Sequence, residues 1–302
     1  MQVGSMKYMT TQPKISLLNI TCRHGGLDVL RANLKRQVFK DFEIVIVDAL
    51  WCERESQVKR YFKDFNLVYV RQSDKKEGTY SNLAHADNEG FRNCKGELIV
   101  CLQDFIWMAP FGLHKFWEAY QAYGNILVGG VGHQYCKPGK EEIANPKGKI
   151  TIFKEEFKDR PENQCWNDPR MRLDQGTFYE TSPVNWELSY GSIPRKVIYE
   201  LGGMDEEYDA QGFAYDNVNI AQRAEFLGYK TYLDQTNEYR ALNHDNWAMS
   251  EHKKERATNI ADFHIQRMKD IIQGKYPLKL NYLDNNDTII PKVNSEKEKP
   301  TI

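Results

Sequence analysis

The chain contains no C-x-x-C pair: its six cysteines, Cys22, Cys52, Cys94, Cys101, Cys136 and Cys165, are scattered along 302 residues. That excludes a zinc knuckle or a dithiol redox motif written in local sequence. Reduced thiols are expected, with Cys94 and Cys101 acting as small hydrophobes in or beside an apolar strand. No window approaches the run of about 20 apolar residues that crosses a bilayer, and the opening MQVGSMKYMTTQPK has no apolar h-region. A cytoplasmic protein with no membrane span is the expectation. Charge of one sign is not in excess either: 41 Lys and Arg against 42 Asp and Glu leave a net charge of -1. No overall basic field is present to hold a nucleic-acid backbone, although a local basic patch stays open. The first turn, residues 21–26, lacks the G-x-G-x-x-G arrangement that lets backbone meet a pyrophosphate, which disfavours a nicotinamide dehydrogenase. No internal repeat is visible.

What is present is a globular composition, 41% hydrophobic and 27% charged, and an alternation of strand and helix signals. Residues 15–20 (ISLLNI) predict a buried strand, and Leu27, Leu30, Leu34 and Val38 follow at helical spacing. Residues 42–47 (FEIVIV) form a second strand signal, β-branched with no outward polar face, ending at Asp48. A helix over 53–62, a strand over 67–70, a helix over 82–93 and a strand over 97–102 complete the series. This order predicts an α/β fold with a doubly wound, mostly parallel central sheet and helices on both faces. Ligands of such sheets lie at the carboxyl ends of the strands, which singles out Thr21, Asp48 and Asp104. Residues 133–182 are polar and aperiodic and read as an excursion over the site. Structure returns at 186–193, with a helix over 195–201, the turn Gly202-Gly203, a helix over 216–227 and a strand over 230–233. The tail from about Tyr276 is polar and reads as frayed.

Two stretches carry chemistry. The apolar run Leu98-Ile99-Val100-Cys101-Leu102-Gln103-Asp104 delivers a carboxylate at its end, and hard cations prefer carboxylate oxygens. Asp104 taken alone reads equally as a cap on the next turn. The second stretch runs from Gly202-Gly203-Met204-Asp205 through Asp216-Asn217 to Gly228-Tyr229. An amide cannot accept a proton at neutral pH, so a general base there has to be Asp216 rather than Asn217; an N-cap is the alternative.

From Ile15 to His244 these motifs resemble a family-two-type GT-A glycosyltransferase. The resemblance implies a nucleotide-sugar donor as co-substrate and Mn²⁺ or Mg²⁺ as cofactor. It places the nucleotide against Thr21, Asp48, Asn88 (in Ala86-Asp87-Asn88-Glu89-Gly90), Gln103 and Asp104. Asp48 stands where the family hydrogen-bonds the base, Asp87 where it commonly has Arg, and Gln103-Asp104 where it commonly has a run of acids. Asp104 and His244 become the metal ligands, Asp216 the catalytic base, and Trp186 and Glu187 the acceptor contacts, although Trp186 reads equally as core. His24 and His133 also follow strand-like runs. The implied organisation is an N-terminal extension (1–13), a glycosyltransferase domain (14–250, donor half about 14–110, acceptor half about 111–250) and a C-terminal helix and polar tail (251–302). The implied reaction is inverting transfer of a sugar to a hydroxyl of a glycan or glycoconjugate. Two alternatives stay open: a glycosyltransferase acting on modified DNA bases, with Lys35, Arg36, Lys137, Lys140, Lys147, Arg170 and Arg172 as a basic groove, and a nucleotide-sugar-binding protein weakened in turnover by Asp87, Gln103 and Asn217.

Overall fold

A computed structural model describes residues 12–23, 25–74, 76–79, 81–135, 166–212, 214–242 and 260–283. Four strands, β1 (Ile15–Thr21), β2 (Phe42–Asp48), β3 (Leu67–Arg71) and β4 (Leu98–Leu102), lie parallel in the order β3-β2-β1-β4. They form because their aliphatic side chains have two helical layers to enter. In β2, Ile44 and Ile46 pack on one face while Val45 and Val47 pack on the other, the two-residue alternation of a strand covered on both sides. Helices α1 (Leu27–Arg36), α2 (Trp51–Tyr61) and α4 (Gly112–Tyr123) contribute Leu30, Leu34, Val58 and Phe116 to the first layer. Helices α3 (Leu83–Asn93), α5 (Arg195–Leu201) and α6 (Asp216–Phe226) contribute Phe91, Val197, Ile198 and Ile220 to the second. Each such aliphatic side chain is fully buried, a contribution of about 1.5–3 kcal/mol apiece. The polar intruders in β1 are bonded across the sheet: Ser16 donates to Glu43 at 2.6 Å and Asn19 donates to the Leu102 carbonyl at 2.8 Å.

Beyond β4 the sheet becomes mixed. Strand β9 (Tyr190–Pro194) runs antiparallel between β4 and β6 (Leu127–Tyr135), β6 pairs in parallel with β10 (Thr231–Leu242), and β5 (Ile106–Met108) closes the edge antiparallel to β10. The expected α/β class with a large central sheet and helices on both faces is observed. Three local expectations are corrected. The strand foreseen at 230–233 continues to Leu242, with a register break between Asp234 and Glu238. Part of the excursion joins the sheet, because β7 (Trp166–Asn167) pairs with β6 and β8 (Phe178–Thr181) pairs with β10. The described residues after Tyr276, up to Leu283, are bonded to the domain, with the Leu280 and Leu283 N–H groups donating to the carbonyls of Leu201 and Gly202. Helix α7 (Ile260–Ile272) precedes that segment and packs through Met268, whose sulfur accepts from Asn219 Nδ2.

Candidate active site

Growth of the sheet reverses between β1 and β4: β2 and β3 lie to one side of β1 and β4 to the other. The crevice at the carboxyl ends of such a pair is where doubly wound sheets take their ligands. Thr21 ends β1 and Asp104 follows β4, and the Thr21 hydroxyl donates to Asp104 Oδ2 at 2.8 Å. The turn carrying Asp104 continues into Phe105 at φ 61°, a left-handed conformation that a bulky residue adopts only under constraint. Gly26, at φ +99°, leads into α1 and passes so close that a Cβ there would lie 3.4 Å from the Phe105 ring and 3.6 Å from Asp104 Cβ. The Arg23 guanidinium stands 5.7 Å from the centroid of the same ring. Burial lifts the Asp104 carboxyl to about 6, against the opposing pull of Arg23, the Thr21 hydroxyl and Arg54.

Asp48 lies in register with Thr21, and its partners all come from within the protein. It is fully buried. Arg54 donates to it through Nε at 2.7 Å and Nη2 at 2.9 Å, the Leu50 N–H at 2.7 Å and the Tyr69 hydroxyl at 2.5 Å. With both oxygens engaged twice, this carboxylate has no lone pair directed at a base. Asn88 is likewise turned inward: its Oδ1 accepts from the Met204 N–H at 2.8 Å and its Nδ2 donates to the Met204 carbonyl and to Glu206. It clamps the Gly202-Gly203 turn instead of facing the crevice. Gln103 is exposed, and its N–H donates to the Ser189 carbonyl.

Trp186 is core. It is fully buried and its indole N–H donates to the Ser192 carbonyl at 3.2 Å, so neither ring face can stack on a sugar. Glu187 is partly exposed, 2.9 Å from the Ser189 hydroxyl and 3.7 Å from Arg170. Arg170 in turn is bound to buried Asp168 and to the carbonyls of Asn185 and Gly130, and Arg36 lies 4.1 Å over the Trp107 ring. These two supposed members of a basic groove are structural. Lys137, Lys140 and Lys147 lie outside the described residues, as do His24 and His244, and the side chain of His133 is not described.

The second acidic group gathers at the start of α6. Ala214 (φ 131°) and Tyr215 (φ 67°) both occupy positive φ and swing Asp216 to the wall of a narrow crevice that Ser81, Tyr208 and Asp209 also line. Asp216 is only 7% exposed; burial, with the neighbouring Asp209 charge, raises its carboxyl to about 6 against the stabilising N–H of Asn217. Asp209 is an N-terminal cap of α3, accepting from the N–H groups of Leu83, Ala84 and His85 at 2.8, 3.1 and 3.0 Å. Asn217 donates to the Trp186 carbonyl at 3.0 Å.

Sequence reasoning treated Asp87 only as a missing arginine. It is buried with Oδ2 unpaired, and burial, Asp216 and Asp209 all push its carboxyl well above the ordinary range. Asp87 also acts electrostatically on Cys101 in β4, three residues before Asp104. The Asp104 group thus follows the carboxyl end of β4, while Asp209 and Asp216 stand at the starts of α3 and α6.

Among the described residues no group of three or more His, Cys, Asp or Glu side chains has metal-holding geometry. The donor set at the crevice, one half-buried carboxylate of raised pKa beside a hydroxyl, does not make a protein-only cage. It does fit a hard cation held chiefly by phosphate oxygens and water.

No family model and no curated protein matches the chain. Solved structures do. A mannosyltransferase, PcManGT from Pyrobaculum calidifontis, in complex with GDP-Man and Mn²⁺, superposes with a TM-score of 0.54 at 14% identity, over 85% of this chain and 65% of that one. TarS 1-349 of S. aureus in complex with UDP gives 0.53 at 12% identity over 86% and 72%. GalNAc-T7 with UDP, GalNAc and Mn²⁺ gives 0.54 at 12% identity over 89% and 59%. The chain spans less than two thirds of the length of the first and third of these. Its structural neighbours are GT-A glycosyltransferases, and the fold of this chain is theirs.

Proposed function

We propose that the protein is a metal-assisted, inverting glycosyltransferase that moves a sugar from a nucleoside-diphosphate donor to a hydroxyl of a glycan or glycoconjugate. The observation that carries the reading is the pairing of Thr21 and Asp104 at the switch point of a GT-A sheet. The complexes of the structural neighbours, with GDP-Man or UDP and two of them with Mn²⁺, support the donor class and the cofactor.

Asp104, steadied by Thr21, would hold Mn²⁺ or Mg²⁺ with donor phosphates and water in the remaining positions. When bound, that ion supplies positive charge to the departing diphosphate. Asp216 accepts the proton of the acceptor hydroxyl. A carboxyl raised to about 6 is still mostly ionised at pH 7 and more basic than an exposed aspartate, which suits it to that transfer. The hydroxyl oxygen then forms its bond to the anomeric carbon as the bond to the diphosphate oxygen breaks on the opposite face, inverting the centre. Glu187, partly exposed beside Ser189, is the acceptor contact kept in this reading.

Release of nucleoside diphosphate from a panel of UDP- and GDP-sugars with Mn²⁺ tests it. Asp104→Ala should abolish the metal-dependent rate, and Asp216→Asn should lower transfer about 100- to 10,000-fold. Absence of turnover or binding with every donor rejects the proposal. A second reading, donor binding without turnover, is favoured by Asn217, an amide where the resemblance places the catalytic Asp, bonded to the Trp186 carbonyl; calorimetric binding without product would establish it.

A further inference from the structure

Helix α7 packs against the wall of the Asp216 crevice, and His264 touches two of its residues. His264 is buried; its Nδ1 lies 2.7 Å from the Tyr208 hydroxyl, and its ring stacks on Tyr215 at 4.9 Å between centroids and 27° between planes. Tyr208 lines the crevice, and Tyr215 is the left-handed residue immediately before Asp216. We infer that His264 is a positioning residue for Asp216, holding the crevice wall through Tyr208 and the strained approach to α6 through Tyr215. This inference rests on the assignment of Asp216 as the base.

Three features give it weight. Two consecutive non-glycine residues at positive φ, Ala214 and Tyr215, are strained and persist only where surrounding structure imposes them. A ring laid flat on Tyr215 is such an imposition. Second, α7 is itself anchored, since Arg267 pairs with Asp205 and Glu207 and lies 3.4 Å over the Tyr276 ring, and Phe263 meets Tyr208 edge-on at 5.1 Å. Third, Nδ1 of His264 and the Tyr208 hydroxyl share a buried hydrogen bond, and burial keeps the His264 pKa below its ordinary value, which ties the crevice wall to α7. The charged and titratable groups around Asp216 are then Asp209 from the turn before it, Asp87 from α3, and His264 with Tyr208 behind the wall.

The test separates hydrogen bond from ring. Tyr208→Phe removes only the hydroxyl; His264→Asn keeps an acceptor near Nδ1 but removes the ring from Tyr215. The first readout is the titration of Asp216, followed by carboxyl ¹³C resonances in aspartate-labelled protein and assigned by the signal lost in Asp216→Asn. Loosening the wall admits water, so both variants should lower the Asp216 pKa by about one unit toward the ordinary carboxylate value, with a melting temperature close to that of the parent. An unchanged Asp216 titration in the folded Tyr208→Phe and His264→Asn proteins overturns the inference. The second readout is donor hydrolysis with the UDP- and GDP-sugar panel: kcat should fall about tenfold in His264→Asn with KM unchanged. If the parent hydrolyses no donor, the glycosyltransferase reading fails, while the titration still decides the role of His264.

Discussion

Thr21 Oγ1 and Asp104 Oδ2 lie 2.8 Å apart although 83 residues separate them in the chain. Parallel pairing of β1 with β4 brings the two strand ends side by side, and the hydrogen bond fixes the rotamer of the carboxylate that faces the crevice. Thr21→Val keeps the shape and removes the donor. A hydrogen bond to a charged group contributes about 1.5–3 kcal/mol, so Mn²⁺ binding in the presence of UDP or GDP should weaken at least about tenfold, with the melting temperature little changed. Calorimetry on the two proteins measures it, and equal affinities would remove Thr21 from the site.

Asp216 should carry a stability cost. Its folded carboxyl is raised from an ordinary 3.8 to about 6, so the folded state binds the proton more tightly than the unfolded chain. Stability from this group is therefore present below about pH 4 and lost as pH rises through 6. Asp216→Asn should raise stability at pH 7, by up to roughly 3 kcal/mol, and change it little at pH 4. Urea unfolding at both pH values checks the sign.

Arg54 should be a stability residue. It neutralises Asp48, and both side chains are almost wholly buried. Arg54→Ala leaves an uncompensated buried charge and should cost about 3–5 kcal/mol, read as a lower urea midpoint; a loss under 1 kcal/mol would show that Asp48 is reached by water and open to a ligand.

Gly202 should control the docking of the C-terminal segment. It has φ +71°, and a Cβ there would meet the Leu280 carbonyl oxygen at 1.7 Å. Gly202→Ala should cost at least about 1–2 kcal/mol from the left-handed backbone alone and should expose residues 276–283 to protease. Limited proteolysis followed by mass spectrometry would detect the new cleavage.

Much of this was legible in the residues. Unbroken aliphatic runs named β1, β2 and β4 and hence the carboxyl-end positions Thr21 and Asp104, because a strand buried on both faces has no polar alternation to disguise it. The helix over residues 195–201 was closed by the Gly202-Gly203 turn, punctuation that local chemistry enforces. Strand β6 was not legible: it carries Gly129, Gly130 and Gly132, poor strand formers, and two of them are there because the Tyr190 and Tyr239 rings fill the space, a Cβ at Gly130 or Gly132 meeting them at 2.4 and 2.3 Å.

By itself the sequence determined which carboxylates end strands and helices, since those positions follow from periodicity and chain punctuation. Only the tertiary structure decided which of them face the crevice. Asp48 went to Arg54, Asn88 to Met204 and Trp186 into the core, while Asp87, His264 and Tyr208 gathered around Asp216. The physical reason is that a side chain's role depends on partners distant in sequence: a buried polar group takes whatever donor or acceptor the packing brings to it, and no local pattern records that choice.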